Sequence, residues 1–118
     1  MAVDPTFWES PAVQRWIAGL RTQSGLEIGQ DDERLQLLAG FCDVTGRTPD
    51  DTVAFCFLRR RADGSRFLSV QRRQALSAEI DDYIRSTGRE GHEFVVAANT
   101  LRSFLIHNGV FIGAATPR

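Results

Sequence analysis

Six arginines, Arg59, Arg60, Arg61, Arg66, Arg72 and Arg73, fall within 15 residues around an Asp63-Gly64 turn, and Asp63 is the only acid among them. A guanidinium is planar and presents its N–H donors as a fork that matches two phosphate oxygens at once. Each phosphate neutralised in this way releases condensed counterions. The cluster is therefore the best candidate for contact with a polyanion. Two other readings stay open beside it. Arginines that follow a helix cap its last carbonyls or pair with acids such as Asp50 and Asp51, or they meet some other partner. A second candidate surface lies on the stretch 91–109, GHEFVVAANTLRSFLIHNG, where Asn99, Arg102, Ser103 and His107 form a polar stripe opposite an apolar one. Asn99, Arg102 and Ser103 are expected either to reach a groove or backbone of nucleic acid or to stand as a solvated face.

Other chemistry is thinly represented. Cys42 and Cys56 are 14 positions apart, with no CxxC and no Cys/His ligand spacing. Two buried thiols are expected, with a disulfide or a metal site as the alternative. Asp31-Asp32-Glu33 and Asp81-Asp82 place carboxylates side by side in sequence, but neighbours on a helix point in different directions. They read as solvated faces, not as acid/base pairs. No GxGxxG or GxxxxGK[ST] string occurs, so no phosphate-cradling loop is expected. No cofactor is called for.

The elements that must position these residues are bounded by size and composition. A chain of 118 residues and 13.2 kDa, 42% hydrophobic and 25% charged, is enough for one folded domain and too little for two. Its apolar runs are far shorter than the roughly 20 residues a membrane-spanning helix needs. The opening MAVDPTFWES lacks the basic end and apolar core of a secretory signal, so a cytoplasmic location is expected. Net charge is −1, which argues against an indiscriminate nucleic-acid binder. The distribution is uneven, however. Residues 23–51 hold seven acids and two arginines, residues 52–73 hold six arginines and one acid, and residues 74–93 hold five acids and two arginines. A basic hinge is thus flanked by acidic segments, and every cation in the chain is arginine.

Helical periodicity runs nearly throughout, and no strand is predicted. Ser10-Pro11 is an N-cap and first-turn pair, followed by Val13, Trp16, Ile17 and Leu20 at i, i+3, i+4 and i+7, which predicts a first helix over 11–23. Phe7 and Trp8 ahead of it are suited to a staple-like contact. A second helix begins after Asp31-Asp32, turns Leu35, Leu38, Phe41 and Cys42 inward, and stops near Thr45-Gly46. Thr48-Pro49-Asp50-Asp51 is the clearest start signal and opens a third helix. That helix is expected to bury Val53, Ala54, Phe57 and Leu58 and to end in Arg59-Arg60-Arg61. A fourth spans 69–88 with Leu76, Ile80, Tyr83 and Ile84 inward, and a fifth occupies 91–109 with Phe94, Ala98, Leu101 and Leu105 inward. The segments ERLQLLAGFCDVTG and NTLRSFLIHNG also echo each other, which suggests helix pairs packed face to face.

The order of Trp16-Ile17, the segment 41–50 with its Gly turn and Thr-Pro-Asp, Tyr83-Ile84, and the segment 101–109 with Leu-Arg-Ser-Phe and Asn-Gly resembles the N-terminal core-binding domain of tyrosine recombinases and phage integrases. The similarity covers roughly residues 11–112. It implies a SAM-like helical module that grips duplex DNA as one half of a clamp. The chain departs from the full family in its chemistry. Those enzymes use a tyrosine nucleophile with arginines and a His-x-x-Arg element. Here the sole tyrosine, Tyr83, is at an inward position, His107 is followed by Asn108-Gly109, and His92 by Glu93-Phe94.

The expectation is thus an all-α array of about five helices: an N-terminal arm over 1–10, the domain over 11–112, and a tail or interdomain linker over 113–118. It is expected to bind duplex DNA, without catalysis of its own and without a membrane, beside a downstream catalytic domain or other recombinase subunits. The alternative function is a helical protein–protein interaction domain that keeps the fold without DNA. A helix-turn-helix regulator is a weaker reading, because no helix rich in base-reading side chains follows the connection near 87–90.

Overall fold

Helix formation starts earlier than Ser10. Asp4 accepts the backbone N–H of Thr6 at 2.7 Å and Pro5 takes the first helical position, so the chain makes a short helix, α1 (Pro5–Glu9). In this computed structural model, which describes residues 2–113, residues 3–10 of the expected arm over 1–10 are therefore a docked element. Val3 is buried and donates its N–H to the Gln30 carbonyl at 2.9 Å, while Phe7 and Trp8 pack on the core. Asp4-Pro5 is itself a start signal of the same kind as Ser10-Pro11.

The next three helices follow the periodicity. α2 (Pro11–Ser24) buries Ala12, Val13, Trp16, Ile17 and Leu20 and ends at Gly25, whose φ of 68° is the left-handed conformation glycine adopts without steric cost. α3 (Glu33–Thr45) starts on the Asp32 carboxylate, which accepts from Arg34 N at 2.9 Å, and buries Leu35, Leu38, Phe41 and Cys42. α4 (Pro49–Phe55) starts on the Thr48 hydroxyl, which accepts from Asp51 N at 3.0 Å, and buries Pro49, Thr52 and Val53. The Ser10 side chain does not cap its own helix. Its hydroxyl donates to Asp50 Oδ2 at 2.9 Å, and Asp50 Oδ1 accepts the Ala12 N–H at 2.9 Å. The first turn of α4 thereby caps α2.

The third predicted helix is where sequence and structure part. It stops at Phe55, and the residues expected to finish it form an antiparallel hairpin, β1 (Phe57–Arg59) with β2 (Arg66–Leu68). Phe57 stands opposite Leu68, Leu58 opposite Phe67 and Arg59 opposite Arg66. Two bonds close the loop: Arg60 N to Ser65 O at 2.8 Å and Gly64 N to Arg60 O at 2.9 Å, with Gly64 at a φ of 71°. The physical reason is the alternation of side chains along a strand. It lets Phe57 and Leu68 share one face and rest on the core, and it releases the arginines to the far end. Leu58, expected inward, is exposed as a consequence, and Ala54, also expected inward, is exposed on α4.

α5 (Val70–Ser86) begins on the Ser69 hydroxyl, which accepts from Arg72 N at 3.2 Å, and buries Leu76, Ile80 and Ile84. α6 (Gly91–Ile106) buries Phe94, Ala97, Ala98, Leu101, Phe104 and Leu105 and lies against α5, α3 and α2. The two helices that carry the echoing segments, α3 and α6, are in contact with each other. Trp16 and Phe104 meet edge to face at 5.5 Å in the centre of the molecule, both almost fully buried. An aromatic pair of this geometry adds about 0.5–1.5 kcal/mol to the burial of its area. Tyr83 lies between α5 and α3, its ring 5.6 Å from that of Phe41 and its hydroxyl directly over Gly40. Burial raises its pKa. The fold is therefore mostly α, with six helices and one two-stranded sheet among the described residues. No helix among those residues is long and apolar enough to cross a membrane. Most of the tail expected over 113–118 lies outside the described residues.

Candidate nucleic-acid interface

The hairpin gathers four of the six clustered arginines. Arg59, Arg60, Arg61 and Arg66 are all exposed, on the strands and in the loop that joins them. Alternation sorts them by face. Arg59 and Arg66 share a face with Phe57, and the Arg66 guanidinium lies 3.8 Å over the Phe57 ring. Arg60 shares the opposite face with Phe67 and lies 5.0 Å over that ring. Each face of the ribbon thus carries an arginine stacked on a phenylalanine two residues further from the tip. Stacking of this kind contributes roughly 0.5–1 kcal/mol at exposed sites and fixes the plane of the guanidinium while leaving N–H groups at its rim.

Two like charges face each other at the loop end of the ladder. Arg59 and Arg66 are directly cross-strand, an arrangement that destabilises a hairpin unless something negative relieves it. Among the described residues no carboxylate does so. Among the described residues, the ion pairs are Arg21–Glu27, Arg34–Asp32, Arg47–Glu79, Arg85–Asp82 and Arg102–Asp81. None involves the six clustered arginines. Asp50, one acid that could have neutralised them, is committed to Ser10 and Ala12. Asp63 turns to the loop, where the Ser65 side chain and then the Ser65 N–H, which its Oδ1 accepts at 2.9 Å, lower its pKa.

Carbonyl capping accounts for part of the cluster. Arg59 donates to the Gly64 carbonyl at 3.0 Å and so braces the loop. At the root of the hairpin, Arg72 donates to Phe55 O at 3.4 Å and lies 4.6 Å over the Phe55 ring, which Arg47 also covers at 4.1 Å. Arg73 is half-buried and donates to Phe111 O at 2.6 Å, so it holds the C-terminal segment and does not extend the basic surface. A guanidinium has five N–H donors, and one carbonyl leaves the others for external acceptors on Arg59 and Arg72.

The stripe on α6 is corrected at its central residue. Arg102, expected outward, is only 3% exposed. It forms a 3.1 Å ion pair with Asp81 and donates to Ser77 Oγ at 2.6 Å, Gly113 O at 2.8 Å and Ala98 O at 3.4 Å. The side of α6 that holds it is covered by α5 and by the segment 111–113, which the helical wheel of α6 alone does not include. Asp81, expected to be solvated, is by the same contact an inward counter-ion. Ser103 accepts the indole N–H of Trp16 at 3.1 Å, and His107 rests over Gly19 with Nδ1 2.9 Å from the Ser103 carbonyl oxygen. Asn99 is half-buried. Arg102, Ser103 and His107 thus knit α6 to α5 and α2 rather than forming one surface with the arginine hairpin.

The aromatic platforms Phe57 and Phe67 are the residues that a search for helices overlooks. Their signal is nonetheless present: Phe-Leu-Arg and Arg-Phe-Leu, each two apolar residues with an arginine on the turn side, flank an Asp-Gly, the pattern of a hairpin. The cysteines are inert. Burial pushes both thiols up to about 11, which keeps them protonated at neutral pH and withholds the thiolate a nucleophile or metal ligand needs. They are unlinked, and no group of three or more His, Cys, Asp or Glu side chains among the described residues is placed to hold a metal ion. Comparison with protein-family models, with curated proteins and with solved structures gives no match.

Proposed function

We propose that this chain is a non-enzymatic DNA-binding module that uses the β1–β2 hairpin as its basic contact. The observation that carries the reading is the Arg59–Arg66 cross-strand pair, exposed and without a carboxylate partner among the described residues. A like-charged pair lowers the stability of the hairpin, so its presence is accounted for by a polyanion that binds there. In its finer form the proposal is a SAM-like core-binding domain of the integrase type. It would work beside a catalytic domain or other recombinase subunits that supply the tyrosine and the His-x-x-Arg element. The order of helix landmarks in the sequence supports that form.

The test is the affinity of the chain for a labelled duplex across a salt series. Affinity should fall with a log–log slope near −0.9 for each phosphate engaged, roughly −3 to −4 for the exposed hairpin arginines. Alanine at Arg59, Arg60, Arg61 and Arg66 together should remove most of that slope. Absence of binding at low salt would discard the proposal. Reading the coding sequence past Arg118 for a His-x-x-Arg and a late tyrosine tests the finer form.

A second reading, a helical protein-interaction domain, has its own support in a shallow groove between α3 and α6. Leu37, Val96 and Ala97 line it, with Val96 half-exposed, between Glu33 and Arg34 on one side and Arg89 and His92 on the other. Failure to bind DNA would bring this groove to the front.

A further inference from the structure

We infer that the β1–β2 ribbon enters the major groove of B-form DNA tip first and does not lie flat against one strand's phosphates. The inference rests on the DNA-binding reading above and gives it a geometry. A surface that grips one phosphate backbone from outside needs cations on one face only. This ribbon has them on both: Arg59 and Arg66 on the face of Phe57, Arg60 on the face of Phe67, and Arg61 in the connecting loop. Such an element is neutralised on all sides only when phosphates flank it on both.

The dimensions agree. Paired strands lie about 5 Å apart, and the B-form major groove, about 12 Å wide, admits a two-stranded ribbon. The minor groove, about 6 Å wide, does not, and the A-form major groove is too deep and narrow for side chains to read. The two stacked pairs supply the stiffness that insertion requires. Arg66 on Phe57 and Arg60 on Phe67 hold their guanidiniums on opposite faces of the ribbon, toward the loop end that projects past the core-packed Phe57 and Leu68. Arg59 is braced on the loop carbonyl of Gly64, and Arg61, exposed in the loop beyond the last paired residues, is the cation assigned to base edges. Guanine, with its O6 and N7 acceptors, is the base an arginine fork matches.

The experiment uses the whole chain on a mixed-sequence duplex, with dimethyl sulfate as the probe of guanine N7 and two competitors, methyl green for the major groove and netropsin for the minor. The expected result is protection of guanine N7, displacement by methyl green and indifference to netropsin. Arg61→Ala should abolish the protection and lower affinity roughly tenfold. Arg21→Ala, which removes a cation from α2, should do neither. Binding that keeps its salt dependence but leaves N7 reactive, yields to netropsin, or is equally strong on an RNA duplex overturns the groove geometry and leaves the DNA-binding reading standing. No binding under any condition overturns both. Phe57→Leu and Phe67→Leu, which keep apolar bulk at the strand positions, give a second route: each should weaken N7 protection by removing a stacked platform, and full protection in both would count against the inference.

Discussion

Asp50 on α4 caps the start of α2, forty residues away, by accepting from both the Ser10 hydroxyl and the Ala12 backbone N–H. Ser10 would ordinarily turn its oxygen onto its own helix. Here it is a donor, and the carboxylate of another helix takes over the capping role. The expected outcome of Asp50→Ala is a loss of about 1–2 kcal/mol in urea unfolding, the usual size of a lost cap. Asp50→Asn keeps one acceptor and should cost less. An unchanged midpoint in both would show that the cap contributes nothing.

Arg102 and Asp81 form a buried pair whose removal from one side only is costly. Arg102→Ala leaves the Asp81 carboxylate without its counter-ion and should destabilise by about 3–5 kcal/mol. Arg102→Met, which refills the volume, should recover part of that loss in the double variant with Asp81→Leu. If the variant folds, its DNA affinity should keep the salt slope of the unaltered chain, because the guanidinium is enclosed. A slope reduced by a full phosphate would place Arg102 back on the contact surface.

Tyr83 occupies the space above Gly40, so a methyl group at that position would overlap its hydroxyl while lying 3.4 Å from the ring carbon that bears it. Gly40→Ala should therefore cost about 1–3 kcal/mol, as overpacking of a tight contact does. Tyr83→Phe removes the hydroxyl, and the double variant should regain most of the stability. Thermal unfolding of the four-member cycle measures the coupling; simple additivity of the two single effects would refute the contact.

The two thiols make stability depend on alkaline pH. Their pKa rises on folding from 9.0 to about 11, so the folded state holds protons that the unfolded state has already released. Their contribution is complete below pH 9 and is lost as the pH climbs toward 11, by up to roughly 3 kcal/mol per thiol. Asp32 works in the other direction. Its hydrogen bonds from the side chain and backbone of Arg34 lower its pKa below 3.8, so its contribution is present above that value and lost as pH falls further. Thiol-reactive dye should label the folded chain slowly at pH 8 and quickly in denaturant; rapid labelling without denaturant would contradict the burial.

The helices were legible in the sequence wherever a start signal and a period agreed. Thr48-Pro49 and Ser69 cap where the pattern places them, and the stripes of Leu35 to Cys42 and Leu76 to Ile84 bury almost residue for residue. Residues 57–61 read as the end of a helix because Phe57 and Leu58 fit a helical turn locally, while the choice is settled non-locally by Phe57 meeting Leu68 across the loop. Arg102 was misread for a related reason. Burial on α6 depends on where Ser77, Asp81 and Gly113 come to lie, and no periodicity within α6 contains that information. The arginine cluster itself was legible from composition, but its division between two faces of a ribbon was not.

Adjacent residues on the first turn of α5 hold two separate parts of the chain: Arg72 grasps the carbonyl of Phe55 where the ribbon begins, and Arg73 grasps that of Phe111 beyond the last helix. One helical turn therefore ties the foot of the ribbon and the segment after α6 to the same rigid backbone, so the two share a single anchor although they lie some forty to fifty-five residues apart in the chain.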